Sequence, residues 1–163
     1  MTPGGRMAPG SSRLAWAVLV LGGLLVVLVL LWPSGAAIRI VQIRTWDFVR
    51  FTLFGGHLRW LTPEVWSDLI NIALFIPPAA ALVVLSSRVP WWGWFLGLTG
   101  LSGMFETFQA LAYPSARVGS LHDVVVNSTG ALLGVLIGRS VARRRARDER
   151  EHEEAENREG AAG

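Results

Sequence analysis

Hydrophobic residues fall along this chain in four long runs, near 14–32, 63–85, 91–112 and 121–138, with charged or turn-forming residues between them. A helix needs roughly 20 mostly apolar residues to cross a hydrocarbon core about 30 Å thick. The pattern therefore predicts an all-α membrane protein, with about four transmembrane helices held in one domain over residues 14–138. Residues 1–13, rich in Gly, Pro and Ser, read as a disordered start. Residues 139–163 read as a charged tail, either a solvated mixed-charge helix or disordered. Ser34-Gly35-Ala36 resembles a small-residue cleavage site, but the run before it exceeds the 7 to 15 residues or so of a signal core, so an uncleaved first helix is expected.

Local chemistry marks the ends and shapes of these helices. At Thr62-Pro63-Glu64 the Thr can cap, the Pro suits the first helical position, and the Glu favours the positive end of the helix dipole. Pro77 and Pro78 remove two backbone donors, which predicts a kink or local unwinding of the second helix. Trp91, Trp92 and Trp94 open the third helix as an interfacial belt. Gly130, Gly134 and Gly138 recur at four-residue intervals beside Ala131, giving a face for close helix packing, within the chain or in a homo-oligomer.

Between the first two runs, residues 36–61 mix Arg39, Arg44, Asp47, Arg50 and Arg59 with Ile, Val, Trp and Phe. Arg44, Asp47 and Arg50 recur every three residues, so a helix here would lie in the headgroup zone with one charged face. The alternation Ile38-Arg39-Ile40 keeps a short strand pair open.

Composition agrees with the pattern. The 163 residues are 52% hydrophobic and 17% charged, and the mean hydropathy is +0.42. A small water-soluble fold is disfavoured. The pI of about 10.9 comes from arginines in loops and in the tail, which fits the positive-inside rule and not a nucleic-acid groove, for which basic and aromatic residues would interleave. An even number of spans, Arg6, Arg13 and Arg88, and the cluster from Arg139 onward place both termini on the cytoplasmic side of a cell membrane. With no cysteine, disulfides, thiolate metal sites and cysteine nucleophiles are excluded.

With that topology, polar residues in three helices gather at one outer level: Asp68 and Asn71, Glu106 and Gln109, Asp123 and Asn127. Ionisable residues inside spans are costly and commonly face a partner or a cavity, so Glu106 leads the candidates. Arg117, in the loop before the fourth helix, is its natural counter-charge, and Asp123 can share that guanidinium. The set either binds a ligand or pins helix to helix. His122 lacks a second His or acid at metal-ligand spacing. Ser120, His122 and Asp123 lie close in sequence but without a nucleophile elbow, so no catalytic residue, metal or cofactor is assigned.

Two ordered blocks here resemble the VanZ-like family of bacterial membrane proteins. One is Asn71-Ile72-Ala73-Leu74-Phe75-Ile76-Pro77; the other comprises Ser102, Glu106, Gln109, Arg117, Asp123, Asn127, Gly130 and Gly134. Together they fall within residues 68–138, with Pro78-Ala79, Phe105 and Phe108 departing from the usual pattern. The resemblance implies a multi-pass protein of the bacterial cell envelope, the founding member being linked to resistance to the glycopeptide teicoplanin, and implies no enzymatic reaction. The leading expectation is a non-enzymatic protein whose outward-facing polar cluster modulates contact with glycopeptides or lipid-linked wall components. The alternative is a membrane enzyme or transporter in which Glu106 or Asp123 exchanges protons.

Overall fold

The computed structural model describes residues 9–31, 35–86, 88–112 and 120–162. They form α1 (Pro9–Leu31), α2 (Gly35–Asp47), α3 (Pro63–Leu85), α4 (Trp91–Ala112) and α5 (Leu121–Ala162). A π-helical segment, Phe48–Leu53, continues from α2. Residues 1–8, the stretch 32–34 within the cleavage-like sequence, Ser87, and the loop 113–119 with Arg117 lie outside the described residues.

Among the described residues there is no strand. The segment after the first run is helical because Gln42, Thr45 and Trp46, three and four positions apart, share one helical face and all bond toward α3. Gln42 Nε2 donates to Ser67 Oγ at 2.9 Å, Trp66 Nε1 donates to Thr45 Oγ1 at 2.9 Å, and Trp46 Nε1 donates to the Leu61 carbonyl at 2.7 Å. An Ile-Arg-Ile alternation offers no such set of partners. The Arg50 guanidinium stacks 5.3 Å from the Trp46 ring and 5.1 Å from Phe51, covering the turn that follows. Gly55 and Gly56 have φ of 55° and 80°, a conformation that lets the chain reverse toward α3.

The start of α3 is set by its own sequence: Thr62 Oγ1 accepts the Val65 N–H at 3.3 Å, with Pro63 at the first position. The helix then runs unbroken through Pro77 and Pro78, so the expected local unwinding does not occur. Gly22 of α1 makes room for the second ring, since a Cβ there would stand 3.2 Å from Pro78 Cδ. α1 itself begins at Pro9, ahead of the expected Leu14, as proline at a first helical position permits.

The centre of the fold is the pair α3 and α5. A Cβ on Gly130, Gly134 or Gly138 would collide with the carbonyl oxygen of Ile72, Ile76 or Ala80, respectively. Both series advance by four residues in the same direction, so the two helices run parallel with backbone against backbone. Close Cα–H to carbonyl contacts of this kind are a recurring way to join helices. The glycine face is therefore occupied within the chain by α3.

Around this pair α1 and α4 run the opposite way. Val26 of α1 packs with Phe75 and Ala131, while Leu98 and Phe105 of α4 close the same cluster. Toward the other end Ala79, Val83 and Val135 pack under Trp91, Trp94 and Phe95, and the Arg139 guanidinium lies 5.3 Å from the Trp91 ring. The outside of the bundle is apolar: Leu21 is 68% exposed and Leu111 78%. Among the described residues three helices are long and apolar enough to cross a membrane, Ser12–Val29 within α1, Pro63–Leu85, and Leu121–Gly160. α4 has 22 residues, but its three Trp, four Gly, Glu106 and Gln109 lower its hydropathy.

α5 continues past Gly138 as one helix. Its 42 residues extend about 63 Å at 1.5 Å per residue, roughly twice a hydrocarbon core. The outlying half takes the helical form of the two expected for the tail, with Arg147 bonded to Glu151 at 2.7 Å and Arg158 to Glu154 at 3.9 Å.

Candidate functional site

Because α3 and α5 are parallel, their first turns lie at the same end of the bundle. This places His122 of α5 against Asp68 of α3: Nε2 lies 3.0 Å from Oδ1 and 3.1 Å from Oδ2. The start of α5 is built by its neighbours. Ser120 Oγ accepts the His122 N–H at 3.2 Å as a cap, and the Ser120 N–H itself donates to Glu106 Oε2 of α4 at 3.1 Å. A buried carboxylate thus meets the positive end of α5. One turn deeper Asn127 Nδ2 donates to Ser102 Oγ at 3.1 Å, both side chains being buried, and Gln109 is buried on the same α4.

Above this seam α2 roofs an open polar cavity of about 500 Å³. Arg39 and Gln42 come from α2, Glu64, Ser67 and Asp68 from α3, and His122 and Asp123 from α5. Its volume is that of a small-ligand site. Among the described residues no group of three or more His, Asp or Glu is arranged to hold a metal ion.

The residues singled out in the sequence therefore separate into three places. Asp68 and Asp123 reach the polar cavity. Glu106, Gln109 and Asn127 are buried below it, between α4 and α5. Asn71 instead lines a second cavity, apolar, between α1, α2 and α3. Arg117 lies outside the described residues. Sequence spacing gave His122 no acidic partner, and the structure supplies one from a residue 54 positions away. The ring turns to Asp68, while Ser120 Oγ is engaged by a backbone N–H, so Ser120, His122 and Asp123 are not arranged as a catalytic triad. Arg39, Gln42 and Ser67 were not singled out as site residues in the sequence; the signal for Arg39 and Gln42 was the side of α2 away from lipid, visible only once that segment is known to be helical, and Ser67 stands on α3 one residue before Asp68.

Long apolar helices joined by a glycine ladder, with polar groups gathered at one end, make this a helical membrane protein. The family model VanZ/LLP1 matches residues 17–142, and the chain belongs to that family. The match runs from α1 into the arginine-rich part of α5, so α2 lies inside it, beyond the residues 68–138 that carried the resemblance. No curated protein and no solved structure matches the chain.

Proposed function

We propose that this is a four-span protein of a bacterial cell membrane whose polar cavity faces outward. There it binds, without catalysis, the polar part of a lipid-linked wall component or a lipophilic glycopeptide, and so modulates contact at the cell surface. The observation that carries the reading is the polar cavity of about 500 Å³ at the common start of α3 and α5. The parallel pair supports counting α4 as a crossing beside α1, α3 and α5. If α3 and α5 both cross in one sense, the chain between them must return, and α4, with 22 residues, measures about 33 Å at 1.5 Å per residue. α2, strapped to the first turns of α3, then lies in the outer headgroup layer. The orientation rests on Arg88 and the arginines from Arg139 to Arg147 sharing the end opposite the cavity, which the positive-inside rule assigns to the cytoplasm.

The test is susceptibility to teicoplanin and vancomycin in a sensitive Gram-positive host expressing wild type or a triple variant, Asp68→Asn, His122→Gln, Asp123→Asn, at matched membrane levels. Selective protection lost in the variant supports the reading; equal susceptibility of host, wild type and variant removes antibiotics from it.

A second reading, an enzyme or transporter, draws on the Asp68 and His122 pair at the cavity wall, a group able to exchange protons. Liposomes holding purified protein would then turn over or move an anionic or lipid-linked substrate, and His122→Gln would stop it. Absence of both sinks that reading.

A further inference from the structure

The polar cavity has an apolar neighbour. A second open cavity of about 370 Å³ lies between α1, α2 and α3. Leu25, Leu28 and Val29 form its α1 wall, Ile38 and Val41 its α2 wall, and Ile70 and Leu74 its α3 wall. Gln42 lines both cavities. On α2 the residues 37, 38, 41, 42 and 45 face the apolar cavity, and 39, 42 and 43 the polar one. These are adjacent stripes of one helix, with Gln42 at their border. The bond from Gln42 to Ser67 holds that border in place.

A wall that is apolar on one side of Gln42 and charged on the other fits a molecule divided the same way. Charge selects the head. A purely anionic head would meet Glu64, Asp68 and Asp123 as well as Arg39, and a purely cationic one would leave Arg39 unmatched. Among the described residues no salt bridge engages the Arg39 guanidinium, whose charge acts on Glu64 across the cavity without direct contact. A phosphate set beside Arg39, with an ammonium carried a few bonds further toward Glu64, matches both signs.

We infer that the two cavities form one site for a single amphiphile: an acyl chain between α1, α2 and α3, and a zwitterionic phosphate–ammonium head under α2. This rests on reading the polar cavity as a ligand site and adds to it the class of ligand, the chain-binding groove and the roles of Arg39 and Gln42. α2 becomes the element that sorts the two halves of the ligand.

The experiment is lipid retention by the purified full chain in detergent, followed by native mass spectrometry with lysophosphatidylethanolamine, lysophosphatidylglycerol and a neutral alkyl glucoside of matched chains. Wild type should hold one lysophosphatidylethanolamine in preference to the other two, and more tightly as its chain lengthens. Val41→Trp and Leu28→Trp, which fill the groove from opposite walls, should each lower long-chain affinity about tenfold while keeping the head preference. Arg39→Gln should erase that preference. A head preference that survives in wild type with no dependence on chain length or on either Trp variant overturns the groove and leaves the polar cavity standing. Loss of any head preference in wild type overturns both.

Discussion

Glu106 on α4 accepts the backbone N–H of Ser120, 3.1 Å away, at the residue that caps α5. A carboxylate from one helix thus completes the start of another, and the most conspicuous charge in the sequence acquires a structural task. Glu106→Ala should lower stability in detergent by about 1–3 kcal/mol, the usual cost of leaving a buried donor unmatched. Glu106→Gln, which keeps an acceptor but not the charge, should lose less. Thermal or denaturant unfolding of the two variants reads the difference; an Ala variant as stable as wild type would remove this role.

The glycine ladder predicts a sharp contrast between positions. Gly134→Ala puts a methyl against the Ile76 carbonyl and the Ala79 Cβ and should cost about 1–3 kcal/mol as overpacking. Gly97→Ala on α4 meets nothing within 4 Å and should stabilise by a few tenths to about 1 kcal/mol, the helix-propensity difference. Equal unfolding midpoints for the two would contradict the close approach of α3 and α5.

The Asp68 and His122 pair is solvent-accessible, with side chains 32% and 63% exposed. A double-mutant cycle on Asp68→Asn and His122→Gln should therefore show a coupling that weakens as salt is added. A coupling indifferent to ionic strength would mean that the two residues meet in a dry environment.

Since the sequence has no cysteine, single cysteines report topology without interference. Cysteine at His57 should react with a membrane-impermeant maleimide from outside intact cells, and cysteine at Arg88 or Arg150 only after the cells are opened. Labelling of position 88 from outside would show that α3 does not cross in the proposed sense.

Features encoded within a few residues were legible from the sequence. The α3 start at Thr62 and Pro63 and the α4 start at Trp91 fall where their local chemistry puts them. The polar residues read as one layer divide into a cavity wall, a buried seam and, for Asn71, the apolar cavity, because burial depends on how neighbouring helices rotate against each other, and rotation leaves no local trace. Asp68 meets His122 through the register of two separate helices, and nothing near either residue records that register. Gln42 was invisible for a related reason: its importance comes from α2 folding back over α3, a path fixed by tryptophan hydrogen bonds and two left-handed glycines.

The glycine ladder also decides whether α5 can slide along α3. Shifting α5 by one turn toward the cavity would bring Gly134 to Ile72 and Gly138 to Ile76, and would set Ala142 against Ala80. Shifting it the other way would drive Val126, a buried branched side chain, against Ile72. A methyl blocks one direction and a branched side chain the other, so the glycine ladder fixes the register of α5 along α3 and with it the depth of the cavity at their common start.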